Sequence, residues 1–118
     1  MIQFVLPWPP SVNTYYRRGA HATYMSKAGR KFKTDVADIV SQSKQSKVGT
    51  ARIRITMVVW PRDKRKFDLD NRIKSVLDSL QDAGVFDDDE QIDEINITRG
   101  NKIVSGGCVN VLIEEIKE

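Results

Sequence analysis

The sequence predicts an α/β protein with a single-layer, mixed four-stranded sheet flanked by helices. Apolar and polar residues alternate, as in strands with one buried face, in three segments: 51–60, 92–99 and 109–113. Apolar residues recur at helical spacing in two others, 27–43 and 71–83. The chain has 118 residues, 40% hydrophobic and 30% charged, which suits a single core, so we expect residues 1–118 to form one domain.

The N-terminal part combines a strand with an irregular, aromatic segment. Residues 1–6 are predicted to form a strand, which ends where three prolines in four residues remove backbone donors. Residues 11–24 mix aromatic and basic side chains without clear periodicity, which indicates an ordered loop or an irregular hairpin. Ser26 has the side chain of an N-cap, so the helix over 27–43 is predicted to begin directly after it.

The remaining elements are a central strand, a second helix and two more strands. The strand over 51–60 leads into a run of basic residues. The helix over 71–83 has an apolar stripe at the spacing of a core-facing side: Ile73, Val76, Leu77 and Leu80. Residues 100–107 indicate a turn or a long hairpin tip, so we expect the last two strands to form an antiparallel hairpin.

Basic and acidic residues are unevenly distributed. Residues 1–66 contain 14 Lys and Arg and 3 Asp, whereas residues 67–118 contain 5 basic and 13 acidic residues. This division favours a basic surface for a polyanion beside an acidic pocket for cations, unless folding brings the halves together and cancels the field. With no apolar run of membrane-spanning length, no export signal and the single cysteine Cys108, we expect a cytoplasmic protein without membrane contact.

The candidate chemistry lies in residues 67–92. Asp68 and Asp70 precede the second helix, and Lys74 lies one turn after Asp70 on the same face. Carboxylates and a lysine in this arrangement indicate a divalent-metal site for phosphate chemistry, with the lysine stabilising a phosphorane or a leaving oxygen. The same residues also fit an exposed ion pair, or a helix N-cap at Asp70 or Asn71.

A second acidic cluster, residues 87–90, follows the helix. Four adjacent carboxylates repel one another unless a cation or solvent separates them. The helix is about 20 Å long, so Asp89 reaches Asp68 and Asp70 only if residues 85–88 double back along it. Three carboxylates and water could then bind Mg²⁺, whereas one His and one distant Cys do not fit a zinc site.

Together these features resemble the RusA-type Holliday junction resolvases, which are crossover junction endodeoxyribonucleases of bacteria and their phages. The resemblance covers nearly the whole chain. Its markers are LPWPPSVNTYYR near the N-terminus, the basic run RDKRK, the DLDN at 68–71, Lys74, and AGVFDDDEQI at 83–92. Each marker alone is weak, but the combination is specific.

The resemblance implies a site and a cofactor. Asp68, Asp70 and Asp89 would bind Mg²⁺, with Mn²⁺ as a substitute, and would be catalytic together with Lys74. Asp88 is the alternative third ligand if the cluster is aligned one position out of register, although the spacing to the following QI favours Asp89. DNA contacts would come from the N-terminal segment and the basic run: Asn13, Arg17, Arg18, Arg62, Lys64, Arg65, Lys66 and Phe67.

Two positions depart from the family pattern. Val12 stands where members often have a first asparagine, which leaves Asn13 alone. Phe67 stands where a basic or small residue commonly precedes the first aspartate. The Phe67 ring could insert into base steps opened at a crossover, or it could pack against the sheet. Both departures concern DNA contact rather than chemistry, so they bear on substrate preference.

The resemblance therefore implies a Mg²⁺-dependent, structure-selective endodeoxyribonuclease. It would resolve four-way junctions by paired symmetric nicks in DNA recombination and repair, leaving 5′-phosphate and 3′-hydroxyl ends. It also implies a homodimer, since a two-fold axis relates two identical sites as it relates the two cuts. The alternatives are a non-catalytic junction- or duplex-binding module with a structural cation, and a sugar-nucleotide transferase, for which 118 residues leave little room.

Overall fold

A computed structural model describes residues 1–19, 23–45 and 47–117. In chain order, its elements are β1 (Ile2–Pro7), α1 (Val12–Tyr15), β2 (Tyr16–Arg18), β3 (Thr23–Met25), α2 (Lys27–Ser43), β4 (Ile53–Trp60), α3 (Asp70–Asp82), a 3₁₀ turn (Asp89–Gln91), β5 (Ile92–Arg99) and β6 (Cys108–Glu115). None of the described helices combines the length and the apolar character that a membrane crossing needs.

The predicted mixed four-stranded sheet is confirmed. Its strands lie in the order β1-β6-β4-β5, and only the β4–β5 pair is parallel. The connection between these two strands contains α3, in keeping with the crossover that every parallel pair needs. β2 and β3 form a separate antiparallel pair, which confirms the hairpin interpretation of this segment, and α1 precedes them.

The predicted hairpin of the last two strands is wrong. β4 lies between β5 and β6 and pairs with both. The connecting residues cross the end of β4, where the Gly100 N–H donates to the Val59 carbonyl at 2.8 Å. The Val104 N–H then donates to the Pro61 carbonyl at 2.9 Å. These bonds carry the chain around β4, so β6 joins the sheet on the far side of that strand.

The hydrophobic core lies on one face of the sheet, as the alternation of β4 predicts. Its four inward residues are fully buried: Ile53, Ile55, Met57 and Val59. The helices α2 and α3 pack against each other, and α2 also packs against β1. The other face of the sheet has the more exposed positions of each strand, such as Val5, which is 62% exposed.

The start of α2 is also confirmed. The Ser26 hydroxyl accepts a hydrogen bond from the Gly29 N–H at 2.9 Å, as an N-cap does. Phe32 and Val36 are buried on the inner face of this helix. A side chain at Gly29 would collide with the Tyr15 carbonyl, so the glycine lets α2 approach the N-terminal segment closely.

α3 positions the predicted site residues. Leu69 occupies the N-cap position without a side-chain cap bond, so neither Asp70 nor Asn71 is the cap. The predicted apolar stripe is confirmed, since Val76, Leu77 and Leu80 are buried and Ile73 packs at the core margin. After the helix, Gly84 has a φ of 84°, a left-handed conformation that favours glycine and allows the chain to leave the helix axis.

Candidate active site

Two exposed carboxylates lie at the N-terminal end of α3. The Asp68 carboxylate accepts a long hydrogen bond from Asn71 Nδ2 at 3.5 Å. Asp70 lies in the first turn of α3, where the partial positive charge of the helix N-terminus stabilises a carboxylate. Neither side chain forms an ion pair with a basic residue in the described part of the chain. Both carboxylates are therefore available to a cation.

Lys74 lies one turn after Asp70, but its ammonium group pairs with Asp78. Lys74 Nζ is 3.3 Å from Asp78 Oδ2, and the Tyr16 hydroxyl donates to the same oxygen at 2.8 Å. The Asp78 side chain is only 17% exposed. Burial, and then the bond to this carboxylate, raise the pKa of Tyr16, so the phenol remains a donor at neutral pH. Asp78 thus holds the lysine in place on the exposed side of α3.

The second acidic cluster is organised around the buried side chain of Gln91. Its Oε1 accepts hydrogen bonds from the N–H groups of Asp87 and Asp88, at 3.0 and 2.9 Å. Its Nε2 donates to the Gly49 carbonyl at 2.9 Å. Gln91 therefore fastens this acidic segment to the residues that precede β4.

Asp88 and Asp89 differ in the bonds that their carboxylates make. Asp88 caps the 3₁₀ turn by accepting from the Glu90 N–H at 3.0 Å, and this bond holds the pKa of Asp88 below its ordinary value. The Asp89 carboxyl adjoins that of Asp88, and their side-chain contact is the second cause of the lowered pKa of Asp88. The Asp89 N–H donates to Gln81 Oε1 at 3.2 Å. Asp88 and Asp89 therefore both remain candidate ligands.

Asp89 and Asp70 lie at opposite ends of α3 within one chain. Gln81, which bonds Asp89, follows Asp70 by eleven positions, or about 16 Å along the helix axis. Among residues 1–19, 23–45 and 47–117, no three His, Cys, Asp or Glu side chains are grouped closely enough to hold one metal ion. The expected convergence of Asp68, Asp70 and Asp89 in a single chain is therefore not observed.

The chain does not double back along α3 because the segment after Gly84 is held elsewhere. Val85 and Phe86 are almost fully buried, at 1% and 0% exposure. The Val85 carbonyl accepts from the Val48 N–H at 3.1 Å, and Phe86 forms a parallel bridge with Gly49. These contacts direct the acidic cluster toward the start of β4 rather than toward Asp68.

The predicted DNA-contacting residues lie in two segments of the chain, the basic run after β4 and the N-terminal segment of α1 and β2. In the basic run, Asp63 pairs with Arg65 at 2.7 Å, and this guanidinium lowers the pKa of Asp63. Lys64 and Lys66 are exposed and pair with no described carboxylate. Asn13 is exposed on α1. The side chains of Arg17 and Arg18 lie outside the described part of the structure, although their backbones form β2.

Two arginines that no sequence pattern indicates lie near the start of α3, Arg72 close to Asp68 and Arg99 on Phe67. The rings of Trp8 and Phe67 meet edge to face, with centroids 4.9 Å apart and planes at 80°. The Arg72 guanidinium is 4.8 Å from the Trp8 centroid, and that of Arg99 is 4.1 Å from the Phe67 centroid. Arg62 also stacks on Trp8, at 5.3 Å. We call Trp8, Arg62, Phe67, Arg72 and Arg99 the arginine–aromatic cluster.

The environment of Phe67 favours packing over insertion into DNA. Its ring is partly buried, in an edge-to-face contact with Trp8 and with the Arg99 guanidinium over a face. Arg99 is held there by a hydrogen bond to the Phe67 carbonyl at 2.9 Å. No sequence signal identifies Arg72 or Arg99, because each is a single basic residue in a regular element and only the tertiary fold unites them.

The chain is similar to known proteins over nearly its whole length. A family model described as endodeoxyribonuclease RusA matches residues 7–114. The crossover junction endodeoxyribonuclease rusA of Enterobacteria phage HK97 is 45% identical over 115 residues, which cover 98% of this chain and 95% of that protein. The proteins of that name from Escherichia coli strain K12 and Enterobacteria phage 82 are 33% and 34% identical over 112 residues, covering 94% of this chain and 92% of each relative.

Proposed function

Because this chain belongs to the RusA family of crossover junction endodeoxyribonucleases, we propose that it resolves Holliday junctions by paired symmetric nicks in DNA recombination and repair. Family membership makes it an enzyme that hydrolyses phosphodiester bonds in DNA. Its proposed partner is four-way junction DNA, and residues 1–118 would act as one endonuclease domain in the cytoplasm.

The main support for this proposal is a pair of unpartnered carboxylates beside a basic surface. Asp63 and Asp78 pair with basic side chains, whereas Asp68 and Asp70 pair with none in the described chain. Asp68 remains unpaired although the Arg72 guanidinium is close enough for their charges to interact. A metal ion would supply the missing positive charge, and the surrounding basic residues would bind the phosphates of DNA.

Asp68, Asp70 and Asp89 would bind Mg²⁺, for which Mn²⁺ would substitute. Carboxylate oxygens and water are the ligands that Mg²⁺ prefers, and these three side chains are exposed and without a competing cation among the described residues. The bound ion would activate a water molecule and neutralise negative charge on the phosphodiester. The donor set of the chain therefore suits the metal that the family resemblance implies.

A homodimer would complete this ligand set. One chain presents Asp68 and Asp70 at one end of α3 and Asp89 at the other, so each end is half of a site. A C2 axis repeats every contact, so antiparallel packing of two protomers would bring the partner subunit's Asp89 to Asp68 and Asp70 at both ends. The two resulting sites would be related by the same symmetry as the two nicks.

The free edge of β5 offers a surface for this dimer. β5 is an edge strand in the described sheet, and Ile95 in its middle is 42% exposed. If two β5 strands paired antiparallel, Arg99 of one protomer would lie across from the start of β5 in the other. Arg99 contacts Phe67, which precedes Asp68, and Asp89 lies just before the start of β5. This register would bring the two halves of each site together.

The remaining residues would bind and orient DNA. Lys74, held by Asp78, would stabilise the charge that develops on the phosphorane or on the leaving oxygen. Phosphate contacts would come from the N-terminal segment and the basic run: Asn13, Arg17, Arg18, Arg62, Lys64, Arg65 and Lys66. Phe67 would hold the neighbouring arginine side chains in position rather than insert between DNA bases.

A labelled four-way junction tests the proposed function. Wild type should nick it symmetrically in Mg²⁺ but not in EDTA, and Asp70→Asn should bind the junction with unchanged affinity without nicking it. The competing proposal is a junction-binding module with a structural cation at the acidic cluster. Binding without any cleavage by wild type, in both Mg²⁺ and Mn²⁺, would support that module and contradict the nuclease.

A further inference from the structure

The arginine–aromatic cluster presents three cations with little compensating negative charge. Neither Arg72 nor Arg99 forms an ion pair with a carboxylate in the described chain; each donates to a backbone carbonyl instead, Arg72 to Pro9 at 2.8 Å and Arg99 to Phe67 at 2.9 Å. Arg62 is 3.9 Å from Asp63, but that carboxylate is much closer to Arg65. The cluster therefore has a net positive charge.

Arg72 is partly buried, whereas Arg62 and Arg99 are exposed. Its Nε is buried and has no hydrogen-bond acceptor. A buried, unpaired charged donor costs free energy, which a carboxylate in the cluster would remove. Among the described residues no carboxylate forms an ion pair with Arg72, so its charge remains available to an anionic ligand.

The position of the cluster indicates which anion this is. Phe67 directly precedes Asp68, and Arg72 follows Asp70 by two residues, so the cluster borders the proposed metal ligands. A groove of about 420 Å³ adjoins it and is lined in part by Trp8, Arg62 and Arg72. We infer that the arginine–aromatic cluster binds a DNA phosphodiester next to the scissile one, with Arg72 and Arg99 as the phosphate-binding groups.

This inference, which builds on the proposed function, gives Phe67 a definite role. The Phe67 ring has Arg99 at 4.1 Å and Arg72 at 5.8 Å from its centroid. Guanidinium groups stack favourably on aromatic faces. The ring thus orients two arginines from other parts of the fold and places positive charge beside Asp68.

Binding measured in EDTA tests the inference without any need for cleavage. Fluorescence anisotropy with a labelled four-way junction would give Kd for wild type and Arg72→Gln at several salt concentrations. In the proposed homodimer Arg72→Gln removes one charge-assisted phosphate contact from each protomer. Each lost contact should weaken binding about tenfold and reduce the slope of log K against log salt by about one unit, so the slope should fall by about two units per dimer. Arg72→Lys should keep the slope but bind more weakly, because it keeps the charge and loses the planar donor pair.

Arg54→Gln is the matched control, since it removes the same charge from an arginine already paired with Glu94 in the sheet. Its salt slope should equal that of wild type. Unchanged Kd and slope in Arg72→Gln would overturn the inference. If Arg72→Gln is unfolded by circular dichroism, Arg99→Gln, which replaces an exposed residue at the end of β5, must show the same loss.

The two proposals fail in different ways. A wild-type protein that binds junctions through Arg72 but never cleaves them in Mg²⁺ or Mn²⁺ would contradict the nuclease and leave the phosphate subsite standing. A wild-type protein that cleaves, with Arg72→Gln and Arg99→Gln variants that bind like wild type, would contradict the subsite alone.

Discussion

A mixed dimer of Asp70→Asn and Asp89→Asn protomers tests whether each site combines residues of two chains. Within one chain the two aspartates are separated by about 16 Å of helix, too far to share one ion. If each site combines residues of two chains, one site of the mixed dimer carries both substitutions. The other site combines an intact Asp70 with an intact Asp89 of the partner subunit.

The expected activity follows from the number of intact sites per dimer. The mixed dimer keeps one intact site of two, so it should nick a four-way junction at about half the wild-type rate per dimer. It should make single nicks rather than paired ones. Both homodimers should be inactive, because every site in them lacks a ligand. The assay is single-turnover cleavage by dimers co-expressed with two different affinity tags and purified on both.

Two further mixed dimers serve as controls. A dimer of Asp68→Asn and Asp70→Asn protomers has a defect in each site under either arrangement, so it should be inactive. A dimer of wild type and Asp70→Asn should keep one active site in either case. If that second control is active while the Asp70→Asn and Asp89→Asn pair is not, the two-chain site is contradicted.

Three further predictions concern the side chains around the site. Tyr16→Phe should lower the free energy of unfolding in urea by about 1.5–3 kcal/mol, because Asp78 loses a partly buried donor. Tyr15→Phe loses a neutral bond to Ser79 and should lower the free energy of unfolding by less. The reverse order would contradict this account. Because burial and the Asp78 bond raise the pKa of folded Tyr16 above the ordinary 10.0, its stabilisation is complete below that pH and declines above it. Wild type should therefore lose more stability than Tyr16→Phe between about pH 9 and pH 11, and equal losses would argue against the shift. Phe67→Leu should weaken duplex and junction binding equally by freeing Arg99, whereas a loss confined to junctions would indicate insertion of the ring.

The sequence was sufficient for the elements whose structure depends on local pattern. The alternation through Ile53, Ile55 and Met57 predicted a strand with one buried face, and all three residues are fully buried. Ser26 predicted the start of α2 because an N-cap needs only a hydroxyl and a nearby N–H. In both cases the decisive interactions join residues close in sequence or on one face of a strand.

The pairing of the last strands could not be predicted in the same way. Consecutive strands often pair, so a hairpin between residues 92–99 and 109–113 was the natural expectation. The bonds from Gly100 to Val59 and from Val104 to Pro61 decide otherwise, and they join segments about 40 residues apart. Strand order depends on such distant contacts, which a single sequence does not reveal.

The candidate site shows the same division. The Asp-x-Asp motif and Lys74 were identifiable by spacing, because one helix turn relates them. The positions of Asp89, Arg72 and Arg99 depend on where the chain goes after Gly84 and on how the end of β5 meets Phe67. Chemical type thus identified the candidate ligands, while only the fold shows that Asp68 and Asp89 lie at opposite ends of α3.

Cleavage of a supercoiled plasmid that extrudes a cruciform tests the proposed function most directly. Two symmetric nicks made within one binding event convert the plasmid to a linear molecule without accumulation of nicked circles. We expect wild type to produce linear plasmid in Mg²⁺ and to leave a plasmid without the cruciform intact. A plasmid that is bound but remains supercoiled in both Mg²⁺ and Mn²⁺, or one that is nicked equally with and without the cruciform, would contradict the junction resolvase.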